Sequence, residues 1–403
     1  MRTLTSLKQR LLTSLAAVLI TPSAALAGFS VSGTQLFDDN GQRFVMRGIN
    51  HAHTWFTHQT ATAIPNIAAT GANTIRVVLS NGQTWTHNSA SEIDSIIQQC
   101  YANQVICVLE VHDVTGAGDT GGNSSNTGTI AGAAQYWVDM ADTLKGHENY
   151  IIINIANEPT GNGVPASEWI GQHQAAIRAI RGAGLSHTLM VDAANWGQDW
   201  EEIMLNNASD VASADALSNT LFSVHMYQVY QSYDKVRDYI TTFQENHSLP
   251  LVVGEFGDNH QGEAVDADSI MALAEELGVG YLGWSWSGNG ECCLELDIVN
   301  NWNPNSLSPW GERLINGANG IKETAQKASI FSDAPPVSRS SQSAASSIAS
   351  SPASSAGASN SSTNDNTGSA GNSSSAAGGV ALGSLGHLSS LVLFGLLFLR
   401  RKG

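Results

Sequence analysis

Residues 150 to 157 read YIIINIAN, an almost unbroken apolar run that stops on an asparagine and is followed at once by Glu158 and Pro159. A strand with one wet face alternates apolar and polar side chains, whereas a strand covered on both faces does not need to. The same kind of run recurs on either side. Upstream lie RFVMRGIN (43–50), TIRVVLS (74–80) and VICVLEVH (105–112); downstream lie TLMVDAAN (188–195), LFSVHMY (221–227), LPLVVGEFG (249–257) and YLGWSWSG (281–288). Between them are stretches with helical periodicity, such as ASEIDSIIQQCYAN and SEWIGQHQAAIRAIRGAG, that finish on Asn or Gly as helix C-termini do. Eight strand–helix repeats in one domain predict an α/β fold, a closed (β/α)8 TIM barrel. The competing architecture is an open doubly wound sheet. It calls for a GxGxxG or GxxxxGK after the first strand, and neither follows RFVMRGIN.

Both ends of the 403-residue chain differ from this body. Residues 1–27 carry Arg2, Lys8 and Arg10, then LLTSLAAVLI, then Ala25-Leu26-Ala27, the pattern of a cleaved export signal, so the mature chain should start near Gly28. Residues 380–399 read VALGSLGHLSSLVLFGLLFL and are followed by Arg400, Arg401 and Lys402. That stretch is long enough to span a bilayer with the cations left in the cytoplasm, although His387 and several Gly and Ser also suit a peripheral helix. Residues 332–377 are dominated by Ser, Ala, Gly and Asn and are expected to be a flexible linker. The expected organisation is therefore a signal peptide (1–27), one barrel domain (28–331), a linker (332–377) and a C-terminal membrane or sorting segment (378–403). The expected location is secreted or at the cell surface, anchored by or processed at that segment.

The formal net charge is −17, and none of the 35 acids lies in the two terminal segments, which hold six of the 18 bases. So acidic a body argues against nucleic acid or anionic lipid as a partner and suits a neutral substrate, with membrane contact only through the tail and the chain acting as a monomer. Cys100, Cys107, Cys292 and Cys293 permit three disulfide connectivities. A metal site competes with them, but no CxxC or HxxxH spacing supports it, and neither a metal nor a cofactor is expected.

In a closed barrel the strand ends converge on one face. The polar residues at those ends are Arg76, His112, Asn157, Glu158, His225, Tyr227 and Glu255, with Trp284. Strands four and seven would bring Glu158 of ANEP and Glu255 of VGEFG to opposite sides of one pocket. A carboxylate is expensive to bury unless it is paired or used, and two of them flanking a bond are what glycoside hydrolysis requires.

The body, about residues 28 to 320, also resembles glycoside hydrolase family 5, and RGINHAHTW, VHDVTG, ANEP, DAANWGQ, VGEFG and GWSWSGN are similar to its bacterial β-mannanase branch. The resemblance implies retaining chemistry with Glu158 as acid/base and Glu255 as nucleophile. Around them, Arg76 is expected to hold Glu255 ionised and Asn157 to hydrogen-bond a sugar 2-OH, while Glu158 keeps its proton in more apolar surroundings. Tyr227 is expected to donate to Glu255 and His225 to orient Glu158; His112 is either a site residue or structural. Trp55, Trp196 and Trp284 follow strands one, five and eight and are expected to form a stacking floor for sugar rings, with Trp284 nearest the reacting sugar and Trp286 as its alternative. Residues 116–128, GAGDTGGNSSNTG, are assigned no chemistry, and ECCLELD after the eighth strand departs from the family pattern.

The leading expectation is a secreted endo-acting β-1,4-mannanase whose partner is a mannan, galactomannan or glucomannan chain. An endo-β-1,4-glucanase on the same barrel, or a non-catalytic carbohydrate-binding surface protein, are the alternatives. Gly378-Gly379 before the span and Arg400-Arg401 after it resemble the GlyGly-CTERM sorting signal, which implies cleavage near the glycines.

Overall fold

The structure is a computed structural model that describes residues 28–126, 128–291 and 293–332. The expected signal peptide, the linker apart from Ser332, and the C-terminal segment lie outside the described residues. Among the described residues no helix is long and apolar enough to cross a membrane.

Eight parallel strands close on themselves: β1 (Arg47–His51), β2 (Thr74–Leu79), β3 (Ile106–Val111), β4 (Ile151–Asn154), β5 (Leu189–Asp192), β6 (Thr220–Met226), β7 (Leu251–Phe256) and β8 (Gly280–Gly283). Each pairs with its neighbour in sequence, and β8 closes the ring by pairing with both β7 and β1. Every residue of the eight strands is buried, which is why their sequences do not alternate. The (β/α)8 expectation is therefore borne out. The helical stretches also fall where expected, at Ala90–Ala102 and Ala166–Gly182. The first of these opens with a capping box, Ser89 accepting from the Glu92 N–H while the Glu92 carboxylate accepts from the Ser89 N–H.

The run RFVMRGIN divides in two. Arg43–Phe44 belongs to a small antiparallel sheet with Ser30–Ser32 and Gln35–Phe37, and only from Arg47 does the chain enter the barrel. Phe44 packs on Phe29 at 5.3 Å between ring centroids, so the small sheet buries apolar side chains of its own at the N-terminal end of the barrel.

Strand β7 is irregular in a way that matters for the site. Its register against β6 shifts between Val253 and Glu255, leaving Gly254 unpaired and setting Glu255 opposite His225. A methyl group on Gly254 would come within 2.2 Å of Ser223 Oγ, so the bulge needs glycine. The Asn50 side chain donates to the Gly254 carbonyl at 3.0 Å and ties the bulge to β1.

Cys100 and Cys107 are buried, with free thiols that hydrogen-bond to each other. Burial pushes the Cys107 thiol far above its ordinary pKa. Cys292 lies outside the described residues.

Candidate active site

Arg76 is the hub. It is the third residue of β2 rather than its last, fully buried, and it reaches across the barrel mouth by the length of its side chain. Its Nε donates to Asn154 Oδ1 at 2.9 Å, and Nη1 to Asn50 Oδ1 at 3.0 Å and Glu255 Oε1 at 2.7 Å. Nη2 donates to Asn157 Oδ1 at 2.6 Å and Asp192 Oδ2 at 3.2 Å. Burial disfavours its charge, but Glu110, Asp192 and Glu255 outweigh that penalty and leave the guanidinium held charged even more firmly than in water.

Glu255 is gripped at both oxygens, by Arg76 at Oε1 and by the Tyr227 hydroxyl, which donates to Oε2 at 3.0 Å. Arg76 and Tyr227, the two partners named from the sequence, are thus both placed against Glu255. The Tyr227 ring in turn lies 4.5 Å from the His260 ring, whose Nδ1 is 2.7 Å from Gln228 Oε1.

Glu158 lies just beyond β4 with φ of +39°, a conformation that costs a non-glycine residue on the order of 1–3 kcal/mol. Its own N–H donates to Asp192 Oδ2 at 3.3 Å, and its carbonyl accepts from the Gly116 N–H at 2.8 Å. Its Oε1 is 2.8 Å from His225 Nδ1. The carboxyl pKa is raised, first by burial and further by the Glu255 charge, against the lowering pull of His225. The direction matches the expectation, but the cause differs. The neighbours are polar, and burial is the first cause of the rise.

His225 sits between three carboxylates. Nδ1 faces Glu158 and is 3.6 Å from Glu255 Oε2, and Nε2 is 3.4 Å from Asp192 Oδ2, an ion-pair contact rather than a well-aligned hydrogen bond. Burial works against its charge, but Glu255 and Asp192 raise its pKa to about 10, so the ring is an imidazolium at neutral pH. Its backbone N–H donates to the Gly197 carbonyl at 2.7 Å, and a methyl on Gly197 would come 2.7 Å from the ring. That contact accounts for the glycine of DAANWGQ. Asp192 is held at a pKa of about 2: burial raises it, and His225 and Arg76 more than reverse the effect.

Asn157 is buried, accepting from Arg76 and donating to Thr115 Oγ1 at 2.8 Å. His112 joins the cluster through Nδ1, 2.9 Å from Glu110 Oε1, and burial's opposition to its charge is overcome by Glu110. Its ring lies near-parallel to Trp284, with centroids 5.9 Å apart, and edge-on to Trp55 at 5.0 Å.

The three tryptophans of the expected floor are not equally open. Trp284, just past β8, is 4% exposed with its Nε1 donating to Asn289, and Trp196 is 8% exposed with its Nε1 donating to Asp119. Trp55 is partly buried and packs edge-on against Trp85. Trp286 is 1% exposed, and its backbone N–H donates to the Asn50 carbonyl at 2.9 Å.

Glu110 and Asp192 were not singled out in the sequence, though a signal exists. Each is a carboxylate inside an otherwise apolar strand, VLEVH and LMVD, where only a buried cation makes it affordable.

One oxygen of Glu158, one of Glu255 and one nitrogen of His225 lie within 4.8 Å of one another. Such a set could grip a metal ion, but the Arg76 cation beside Glu255 and the protonated ring of His225 oppose a dication there. What remains is a carboxyl group clamped on both oxygens, facing a second carboxyl group whose pKa is raised first by burial. One can attack an electrophilic carbon while the other delivers a proton.

The family profile described as Cellulase (glycosyl hydrolase family 5) matches residues 37–290. A mannan endo-1,4-beta-mannosidase of Cellvibrio japonicus (strain Ueda107) is 51% identical over 335 residues, covering 83% of this chain and 76% of that protein. The Streptomyces lividans enzyme of the same description is 51% identical over 309 residues, 76% of this chain and 79% of its own. A solved structure, the mannohexaose complex of Thermomonospora fusca beta-mannanase, superposes with a TM-score of 0.72 at 46% identity, covering 76% of this chain and 99% of that one. With one carboxyl group just beyond β4 and the other on β7 of a closed barrel, and these likenesses along the described body, the chain belongs to glycosyl hydrolase family 5.

Proposed function

We propose that this protein is an endo-acting β-1,4-mannanase that hydrolyses internal bonds of β-mannans with retention of anomeric configuration. One observation carries the reading: oxygens of Glu158 and Glu255 lie within 4.8 Å of each other, in a body about half identical to mannan endo-1,4-beta-mannosidases. Retention needs carboxyl groups roughly 5–5.5 Å apart, whereas inversion needs roughly 6.5–9.5 Å to admit a water.

In the first step Glu255 attacks the anomeric carbon while Glu158 gives its proton to the departing glycosidic oxygen. His225, an imidazolium 2.8 Å away, stabilises the carboxylate that forms. The glycosyl ester neutralises Glu255 and removes the charge that helped to raise the Glu158 pKa. Glu158 then becomes a better carboxylate, as its second task requires: it takes a proton from water, which attacks the ester from the side the leaving sugar vacated. Arg76 and Tyr227 receive the Glu255 carboxylate again. Asn157, whose amide nitrogen donates to Thr115 Oγ1 at 2.8 Å and lies 3.5 Å from His112 Nε2, is the residue assigned to the sugar 2-OH. The signal-like N-terminus supports export, and the C-terminal glycine pair and cations support anchoring or processing at the tail.

Purified enzyme should cut galactomannan far faster than carboxymethyl cellulose, and proton NMR of the first products should show the β-anomer. A first product in the α form would remove Glu255 from the nucleophile role. Comparable rates on the two polysaccharides would favour the glucanase.

A further inference from the structure

Trp200 is 50% exposed, unlike Trp196 four residues before it. Its orientation is nevertheless fixed, because Nε1 donates to Asn162 Oδ1 at 2.7 Å. The Asn162 N–H donates to Asp119 Oδ2 at 2.9 Å, and the same oxygen accepts from Trp196 Nε1 at 2.8 Å. Trp196 is joined to this rim a second time, its backbone N–H donating to the Thr160 carbonyl at 3.0 Å. The residues that carry Trp200 are therefore one hydrogen-bonded rim with the segment that immediately follows Glu158.

The chain on either side of Trp200 is also anchored. The buried carboxylate of Asp199 accepts from the Met204 and Leu205 N–H groups and from the Tyr239 hydroxyl, and the Asn195 side chain accepts from the Glu201 N–H. An indole pinned at its edge on a fixed base offers a flat apolar face at little entropic cost, which is what the C–H face of a pyranose ring stacks on.

We propose that Trp200 is a binding platform for a sugar ring on the leaving side of the scissile bond. The proposal rests on the mannanase reading above. The side follows from chemistry. Glu158 protonates the oxygen that departs, so the departing sugars extend past Glu158 over the rim formed by residues 159–162, away from Glu255 and Trp284. The ligand is a β-linked mannosyl residue beyond the bond being cut.

The test compares mannopentaose, which fills leaving-side positions with sugar, with dinitrophenyl mannobioside, whose leaving group is not a sugar. Trp200→Ala should lower kcat/KM on mannopentaose by about three- to tenfold more than on the aryl substrate, the range expected for one aromatic contact. Trp200→Phe should recover part of the difference, and Asn162→Ala, which frees the indole edge, should show a smaller loss of the same kind. Transfer of mannosyl units to added mannobiose should fall relative to hydrolysis in Trp200→Ala. Equal losses on both substrates, a larger loss on the aryl substrate, or no loss on either overturns the proposal. Failure of the mannanase reading is a separate result, seen in the wild type as inactivity on mannan. In that event the same contrast is read between cellopentaose and an aryl cellobioside, with the same outcomes deciding.

Discussion

Glu158 and Glu255 carry the same functional group, yet the barrel gives them opposite tasks through their contacts. Glu255 has a guanidinium and a phenol on its two oxygens, while Glu158 has burial and a negative neighbour to raise its pKa. Because part of that rise is the Glu255 charge, Glu255→Gln should lower the Glu158 pKa, as removing a like charge favours the ionised form. A carbon-13 titration of the carboxyl signals checks this, and an unchanged or higher value would detach the two groups from each other. In the wild type the same logic sets the alkaline limb of activity, since Glu158 must enter the first step protonated and turnover falls as pH rises through its elevated pKa. His225 opposes the rise, so His225→Ala should move that limb to higher pH. Glu158, Glu255, Arg76, His225 and Tyr227 were legible because each ends or interrupts an apolar run beside a recognisable string. Asp192 was not, because its importance lies in facing Arg76 and His225 at once, and only the closed ring brings those three together.

At the scale of elements, one bulge and one loop do what strand patterning alone does not predict. Gly254 lets β7 slip by one residue so that Glu255 faces His225. Gly254→Ala puts a methyl 2.2 Å from Ser223 Oγ and should abolish most turnover while costing about 1–3 kcal/mol of stability by overpacking. The paired change Gly254→Ala with Ser223→Gly should recover folding before it recovers rate. The turn after β5 rests on Asp199, whose carboxyl sits over the first turn of the helix Ile203–Ala212. Burial raises its pKa to about 7 against the lowering effect of those hydrogen bonds. A folded-state pKa above the unfolded one means that this contribution to stability is full below about pH 4 and is lost as pH rises through about 7. The Tm advantage of wild type over Asp199→Asn should therefore grow as pH falls from 8 to 5, in calorimetric scans of both. The eight strands were legible from their lack of alternation. The division of RFVMRGIN was not, since Arg43–Phe44 and Arg47–His51 are both extended and differ only in which sheet receives them.

A barrel is stable only if its first and last strands meet, and here the seam is held by a residue from the first of them. Arg47 opens β1 and is 1% exposed, with Nη1 donating to the Val279 carbonyl at 2.8 Å and the Met46 carbonyl at 3.0 Å, and Nε to Thr324 Oγ1 at 3.0 Å. Its Nη2 meets Glu275 at 2.5 Å, and its guanidinium stacks 4.5 Å from the centre of the Tyr281 ring. One side chain thus joins β1 to the approach to β8, to Tyr281 on β8 and to the short helix Ile321–Thr324. The ion pair is the smaller part of this, because Glu275 is about half exposed and such pairs contribute about 0–1 kcal/mol. The larger part is the buried Val279 carbonyl, which costs about 1–3 kcal/mol when its donor is removed, whereas the Met46 carbonyl keeps the Tyr281 N–H at 3.0 Å. Arg47→Met keeps most of the volume and removes every side-chain donor, so it should lower Tm by about 2–12 °C, taking about 2–4 °C per kcal/mol. Glu275→Gln should change Tm by no more than about 4 °C on the same scale. Because Arg47 lies at the strand end opposite the carboxylates, kcat of the folded Arg47→Met fraction should match wild type well below its Tm. A loss of kcat without a loss of Tm would show instead that the seam sets the geometry of the mouth.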